Sequence, residues 1–381
     1  MANKKPKLLL VADTYYPKVD GTLIFMEEFL QHAQDQFDVA LLVPFLGEKK
    51  GKNVHYLDVY KHLQVSGYPS VKFSWKNLKT TKAAIKEADI VFIQGPALIS
   101  YLSIYFAHRA GKKTVFYTHT LAWELFEKFA PPLLNRLLFR FIRRTSFWLF
   151  HFCDLILVPY HELRDQLQDE GLKSNIGVAR LGVDINRFTP SKDKKSSKRR
   201  IGLDEEKTVI GYVGRISKEK NVSTLSSAFK RLHNPKKMFL LMVGDGPESQ
   251  IKVFKENPNC LVTGFVRNVP EYLQAMDIFV MPSLTETTSL ATLEAMSCGL
   301  PVIATKVGFI KRYLVKNHNG LFIPRNSPGI LALKIEALLK DRNLRERLGE
   351  NARKTVAYSF SWERSINKIK RMLMEQYYEN R

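Results

Sequence analysis

The stretch ETTSLATLEAMSCGLPVIAT, residues 286–305, holds two glutamates eight positions apart, Glu286 and Glu294. Glu286 stands in a polar Thr/Ser run, Glu294 inside an apolar helical pattern. Thr287, Thr288 or Ser289 can cap a helix here, because a side-chain oxygen can accept a first-turn amide. Glu286 then sits just outside the helix mouth, and Glu294 more than one turn within it. A carboxylate accepts two hydroxyl hydrogen bonds side by side, which suits the vicinal hydroxyls of a sugar or a ribose. The two carboxylates can therefore reach different parts of one elongated ligand. The pair also has a plain structural explanation, one acid complementing the helix dipole and one surface glutamate, so by itself it decides nothing.

Upstream, GRISKEKN (Gly214–Asn221) follows the apolar run TVIGYV. Gly214 permits a tight turn. A helix starting near Asn221 offers its free amides, together with Arg215 and Lys220, as an anion site. Such a clamp suits a diphosphate leaving group, on which negative charge builds as its bond to sugar breaks. VGDGPESQ (Val243–Gln250) carries Gly244, Gly246 and Pro247, the residues of a sharp turn into a helix. TGFVRN (Thr263–Asn268) is a further loop, where a base edge can meet the backbone.

These loops need strands to hold them. Short apolar runs at Lys7–Ala12, Val39–Val43, Ile90–Gln94, Thr114–Tyr117 and Leu155–Val158 form one series. Runs at Val209–Val213, Phe239–Val243, Leu261–Thr263, Ile278–Met281, Val302–Ala304 and Leu321–Ile323 form a second. Helical patterns lie between most of them, at Asn221–Leu232, Pro270–Met276 and Ile330–Leu339 for example. Such alternation predicts right-handed βαβ units and largely parallel sheets. EADIVFIQG, CDLILVPY and AMDIFVMPS echo one another, and buried parallel strands sharing one pattern explain this better than a true repeat. Between the two series, TPSKDKKSSKRR (Thr189–Arg200) lacks apolar periodicity and reads as an exposed linker. Ligands of open parallel sheets bind beyond the carboxyl ends of strands, which is where the chemistry-bearing loops fall.

The composition fits this reading. The chain has 381 residues, 45% apolar, enough for two cores. A net charge of +22 favours anionic partners. Three scattered cysteines form no zinc pattern and suit a reducing compartment. There is no uninterrupted apolar run of spanning length, and the N-terminus lacks the pattern of a secretory signal.

Taken in order, YYPKVDG (Tyr15–Gly21), FYTH (Phe116–His119), LGVDINRFTP (Leu181–Pro190), GRISKEKN, VGDGPE, GFV, the Glu-x7-Glu stretch and NGLFIP are specific as a set. The sequence resembles the retaining glycosyltransferases of family four over nearly its whole length. That resemblance implies the α/β GT-B fold, two Rossmann-like domains facing across a cleft. An acceptor domain, 1–186, would be rejoined by a last helix, 362–381, and a nucleotide-sugar domain would span 187–361. Arg215 and Lys220 would hold the donor diphosphate, Glu294 the ribose and Glu286 the hydroxyls of the transferred sugar. His119 would lie beside that sugar, and Gly21 would let the first loop approach. Gly214, Val266, Ser289 and Leu290 complete the implied donor site. The sequence departs from the family at Asp20, where a glycine is common. It departs again at Thr288–Ser289–Leu290, where Phe-Gly-Leu is common, so Ser289 brings a β-carbon near the expected sugar. With no Asp-x-Asp motif, neither a metal nor a cofactor is expected beside the donor, UDP-glucose or a GDP-mannose-type nucleotide-sugar.

The acceptor reading rests on PPLLNRLLFRFIRRTSFWLFHF (Pro131–Phe152). On a helical wheel Arg136, Arg140, Arg143 and Arg144 share one face. Leu134, Leu137, Leu138, Phe141, Trp148 and Leu149 gather opposite, where they would pack on the domain. Phe139 and Phe147 fall beside the arginines, a pattern suited to an anionic lipid surface. The expected activity is transfer of a hexose to a hydroxyl of a membrane lipid, of diacylglycerol or phosphoinositol type. The enzyme would be cytoplasmic and peripheral on the inner face of the cell membrane, with no nucleic-acid partner. Alternatives are a soluble sugar or polysaccharide acceptor, a non-catalytic basic nucleotide- or nucleic-acid-binding protein, and a GT-B epimerase.

Overall fold

Each apolar run is a strand in the computed structural model, within one residue of the expected ends. The structure describes residues 5–17, 21–65, 68–118, 121 and 132–379, with backbone alone for 61–65, 68–69, 132–138 and 235. It divides into two units, Met1–Arg180 with Glu363–Arg381, and Leu181–Trp362. The first unit holds β1 (Lys7–Ala12), β2 (Asp38–Pro44), β3 (Val54–Leu57), the antiparallel hairpin β4 (Val59–Val65) and β5 (Tyr68–Val71), β6 (Ile90–Gln94), β7 (Lys113–Tyr117), β8 (Leu155–Val158) and β9 (Ile176–Val178). The second holds β10 (Thr208–Val213), β11 (Met238–Val243), β12 (Cys260–Val262), β13 (Ile278–Met281), β14 (Val302–Thr305) and β15 (Gly320–Ile323).

Both main sheets are parallel, in the orders β3-β2-β1-β6-β7-β8-β9 and β12-β11-β10-β13-β14-β15. In each, the strand order reverses beside the unit's first strand. Right-handed crossovers from β6 through β9 place their connecting helices on one face of the first sheet. The crossover helix from β1 to β2, Gly21–Ala33, lies on the other. Its Phe25 and Phe29 pack with Phe92 and Tyr117 in that unit's core. Strands β3, β4, β5 and β9 were not legible in the sequence. β9 is three residues long with a central glycine, and β3 is a partly buried edge strand carrying His55 and Tyr56.

The echo among three strands has a shared physical cause. Asp89, Asp154 and Asp277 each precede a strand, and each carboxylate accepts the amide of a residue on the neighbouring strand. Asp89 takes Lys7 N, Asp154 takes Thr114 N, and Asp277 takes Val209 N, all at 2.8 Å. The aspartate amides return the bond to the same three residues' carbonyls. Each aspartate thereby fixes a parallel register.

The basic run before β10 is not the exposed linker expected of it. Asp193 accepts from Lys195 N and caps the helix Lys194–Arg200. The Lys194 ammonium turns inward to the carbonyls of Gln274 and Met276, at the C-terminal end of the helix Val269–Ala275. A cation is favoured there by the helix dipole, although burial lowers its pKa to about 8. Lys198, 6% exposed, pairs with Asp277 at 2.8 Å. The charge density misleads because long lysine stems bury readily while their heads find carbonyls or carboxylates. Replacing Asp277 with Ala would strand the buried Lys198 charge and the Val209 amide. We expect a loss of about 3–5 kcal/mol in denaturant unfolding, against under about 1 kcal/mol for the surface pair Lys252–Glu256.

Candidate functional site

The site of the second unit is built by loops that touch at their backbones. Gly214, at φ 142°, ends β10, and Gly244, at φ 140°, ends β11. A β-carbon on Gly244 would lie 2.0 Å from the Gly214 carbonyl oxygen, and one on Gly246 2.0 Å from that of Ile216. Gly214 N and Ile216 N donate to Val243 O and Asp245 O, closing the two loops together. The turn Lys218–Lys220 follows, then Asn221 in the left-handed region, then the helix Val222–Phe229. Asn221 is buried, donates to Pro282 O and accepts from Thr224 Oγ1. Leu284 N donates to Glu219 O. These bonds tie the basic loop to the loop after β13.

That tie brings Lys220 to Glu286. Lys220 Nζ lies 2.7 Å from Glu286 Oε1, and Ser283 Oγ donates to the same oxygen at 2.7 Å. The Glu286 side chain is 7% exposed and that of Lys220 21%. The Glu286 backbone is fixed from behind, since a β-carbon on Gly308 would lie 1.8 Å from its carbonyl oxygen. Its negative charge, after burial, raises the pKa values of Tyr212 and Tyr313. Arg215 pairs with Glu219 at 2.6 Å on a more exposed surface, and Tyr212 donates to the Arg215 carbonyl. The two cations expected at the diphosphate thus rest on acidic partners. Ser283, Glu219 and Asn221 were not singled out from the sequence. Ser283 stands three residues before Glu286, and Glu219 and Asn221 flank Lys220, a proximity that was the available signal.

The helix Leu290–Ser297 opens at Ser289, which has φ 60° and makes no side-chain cap. Ser289 instead shares a hydrogen bond with Thr292 Oγ1 at 2.8 Å. The expected cap from Thr287, Thr288 or Ser289 is therefore not made by Ser289, because its hydroxyl is spent within the first turn. A non-glycine residue in this region is strained by roughly 1–2 kcal/mol, at the position where glycine is common in the resembling family. Thr288 Oγ1 and Ser217 Oγ are buried without a hydrogen-bond partner. Leu290 starts the helix and is half-buried. Glu294 is 9% exposed, and burial raises its pKa to about 7, opposed by the positive charge of Arg187. Arg187 also donates to Arg267 O at 3.1 Å, next to the half-buried Val266. Arg187 links the Glu294 end to the Val266 loop, a role its place in LGVDINRFTP did not disclose.

In the first unit Gly21 opens the helix Gly21–Ala33, while His119 and Asp20 lie outside the described residues. The arginine-rich segment is the helix Pro132–Phe150, with the Arg136 side chain undescribed. Its faces are turned only in part from those expected: Leu149 is buried as expected, and the side chains of Leu134, Leu137 and Leu138 lie outside the described residues. Phe139 and Phe147 pack against the unit's core, whereas Phe141 is 68% and Trp148 53% exposed. The wheel assigned the inward face by counting leucines. Tyr101 instead bonds the buried Ser146 at 2.7 Å and sets the helix rotation. Arg143 pairs with Glu170 at 3.3 Å and lies over the Phe147 ring. Arg140 and Arg144 remain exposed, and with Arg143 and Phe147 they line an open hollow. Among the described residues no group of His, Cys, Asp and Glu side chains could hold a metal ion, and no helix is long and apolar enough to cross a membrane.

Two Rossmann-like units, each with functional loops at one end of a parallel sheet, define the GT-B class of α/β proteins. A UDP complex of Alr3699/HepE from Anabaena shares this fold, with a TM-score of 0.77 at 18% identity over 97% of this chain and 100% of that one. Residues 19–187 match the family described as Glycosyltransferase Family 4, and residues 193–355 that described as Glycosyl transferases group 1. The chain belongs to the family-four GT-B glycosyltransferases. It is 27% identical to a GDP-mannose-dependent alpha-mannosyltransferase of Mycobacterium tuberculosis (strain CDC 1551 / Oshkosh) over 84% of both chains. It is 30% identical to the sulfoquinovosyl transferase SQD2 of Arabidopsis thaliana over 76% of its own length and 56% of that protein.

The raised pKa of Glu294 has a signed consequence for stability. The folded state binds this proton more tightly than the unfolded chain does, so its contribution is complete below the ordinary carboxylate pKa. It is lost as pH rises through about 7. Without ligand, the protein is expected to lose on the order of 3 kcal/mol across that window from this group. Glu294→Gln should flatten that slope in denaturant titrations taken at several pH values, and an unchanged slope would remove Glu294 as its source.

Proposed function

We propose that this glycosyltransferase moves a hexose from a nucleotide-sugar to a hydroxyl of a membrane lipid, with retention of configuration and without a metal. The observation that carries the donor half is the Lys220–Glu286–Ser283 cluster beside Arg215. One cation, Lys220, and the sugar-binding acid, Glu286, are joined by a single hydrogen bond, as a leaving diphosphate and its sugar require, while Arg215 rests on Glu219. The likeness to a mannosyltransferase dependent on GDP-mannose supports a nucleotide-sugar donor, UDP-glucose being the other candidate.

In this reading Arg215 and Lys220 leave their acidic partners for the diphosphate. The Arg215–Glu219 pair is exposed and worth only about 0–1 kcal/mol, so a phosphate displaces it readily. Glu286, freed of Lys220, accepts hydroxyls of the sugar, and ionised Glu294 accepts those of the ribose. Gly214 and the backbone at Val266 leave room for the phosphates and the base. Ser289 and Leu290 present first-turn amides. The acceptor hydroxyl attacks the anomeric carbon on the face that the diphosphate leaves. One carbon–oxygen bond breaks, one forms, and the hydroxyl proton passes to the departing phosphate oxygen. Stabilising charge on that oxygen is the main catalytic term.

The lipid half rests on the helix Pro132–Phe150. Arg140 and Arg144 stand exposed beside Phe141 and Trp148, cations next to aromatic rings at the spacing of one helical face. Such a face suits an anionic bilayer surface, with aromatic rings at the level of the headgroups.

Arg215→Ala or Lys220→Ala should lower turnover on the order of 100-fold or more in a donor-consumption assay with lipid extract. Wild-type turnover in both variants would contradict the donor reading. Glu294→Ala should weaken nucleoside diphosphate binding in calorimetry. Arg140→Glu with Arg144→Glu should remove binding to anionic vesicles in co-sedimentation and leave nucleotide binding intact, and retained vesicle binding would refute this docking face.

A further inference from the structure

The sequence FSWKNLKTTKAAIKE, residues 73–87, forms a hydrogen-bonded turn and helix whose two aromatic side chains face outward while Ala84 and Ile85 are buried. Phe73 is 65% exposed and Trp75 86% exposed. Exposure on that scale is expected of a loose loop, yet this turn is bound on every side. Ser74 caps the helix Trp75–Glu87 by accepting from Asn77 N. Asn77, 4% exposed, donates to Asp58 O at 2.9 Å and Lys72 O at 2.8 Å, and accepts from Asp58 N at 3.0 Å. Lys72 N donates to Asp58 O, and Lys76 pairs with the Asp58 carboxylate at 2.8 Å. Several hydrogen bonds therefore hold two large rings mostly in water.

The outward face of the same helix is cationic. Lys76, Lys79, Lys82 and Lys86 recur every three or four residues and all are exposed. Asp58 holds Lys76, and Lys82 lies over the Phe106 ring. Lys79 and Lys86 pair with no acidic side chain among the described residues. Right-handed crossovers put this helix, Leu98–Arg109 and Pro132–Phe150 in one layer over the sheet, and Leu98–Arg109 packs against both of the others. The middle helix adds exposed Leu98 and Tyr105. Helices of such a layer run opposite to the strands, so Phe73 and Trp75 fall at the carboxyl end of the sheet, the end at which open parallel sheets bind ligands.

We infer that the Phe73–Lys86 segment is a membrane-docking element, with Phe73 and Trp75 seated among the lipid headgroups and the lysine stripe lying on an anionic bilayer. Charge complementarity selects the occupant: rings at one end of a helix and ammonium groups along it match an apolar boundary beneath a negative surface. The inference rests on the membrane reading of the enzyme and adds a second anchor to the Arg140–Trp148 face. Binding strength grows with buried apolar area and with attraction to anionic lipid, so two such faces hold more firmly than one. The element also sets an orientation, because two separated anchors on one helix layer turn that layer toward the lipid where one would leave the protein free to swing.

The test is co-sedimentation of the full chain with phosphatidylcholine vesicles, with and without phosphatidylglycerol. Phe73→Ser with Trp75→Ser, an exposed pair whose loss leaves the core untouched, should lower partitioning onto the anionic vesicles roughly tenfold or more. Lys79→Gln with Lys86→Gln should lower it roughly fivefold for each charge removed, and salt should erase that difference. In a Trp148→Phe background the emission should shift to the blue on anionic vesicles, and adding Trp75→Phe should remove that shift. Wild-type partitioning of the Phe73/Trp75 variant, with the native protein bound, would overturn this inference and leave the lipid-acceptor reading standing. Absence of vesicle binding by the native protein would overturn both. Tight, salt-sensitive binding of RNA through the same lysines, with vesicle binding unaffected by their loss, would assign the face to another partner and overturn the inference.

Discussion

The ion pair between Lys220 and Glu286 is the contact on which the site depends. It joins a loop after β10 to a loop after β13, two neighbouring strands of one sheet, at a point where both side chains are largely removed from water. An ammonium group placed there is stabilised by a counter-ion at hand, and Glu286 supplies one. A phosphate can take over that office, at which point the carboxylate is released with its lone pairs unspent. In the proposed donor site the pair thus holds the two halves in reserve for each other. The fold around it exists largely to keep the two loops in register. Gly214 and Gly244 close the first loop, Asn221 and Leu284 tie it to the second, and Gly308 lies against the Glu286 backbone.

Much of this was legible in the residues because backbone constraints leave marks in sequence. Only glycine fits where the Gly244 position meets the Gly214 carbonyl. The aspartates before three strands show in the sequence as a shared pattern, while their carboxylate bonds to the neighbouring strand's amides are seen only in the structure. Side-chain direction left weaker marks. The helix Pro132–Phe150 carries apolar residues on nearly every face, so its rotation is decided by what it packs on, Tyr101 and the core beneath Phe139, and those partners lie far away in sequence. The lysines of residues 189–200 misled for a related reason: a charged residue count does not say where its ammonium ends. Lys194 and Lys198 are drawn inward by carbonyls and by Asp277, more than seventy residues downstream.

The acidic side of the donor site carries a second constraint. Glu294 is placed where burial favours its neutral form, with only Arg187 opposing. A ligand that offers hydroxyl donors restores what burial removed, so binding and ionisation at this residue are coupled. Ser289 contributes the strain of a left-handed residue at the mouth of the same helix. Strain of this kind persists where surrounding contacts over-determine the backbone, and it clusters at functional sites. The second unit therefore combines a pre-paired cation, a carboxyl group whose pKa burial raises and a strained helix start, in the loops and first helical turns that follow its strands.

The account is tested most directly by a crystal structure with a nucleoside diphosphate bound. It predicts a phosphate oxygen in hydrogen-bond contact with Lys220 Nζ, Arg215 turned from Glu219 toward the same phosphates, and a ribose hydroxyl on Glu294. Phosphates bound elsewhere, with Lys220 still held by Glu286 alone and Arg215 by Glu219, would contradict it.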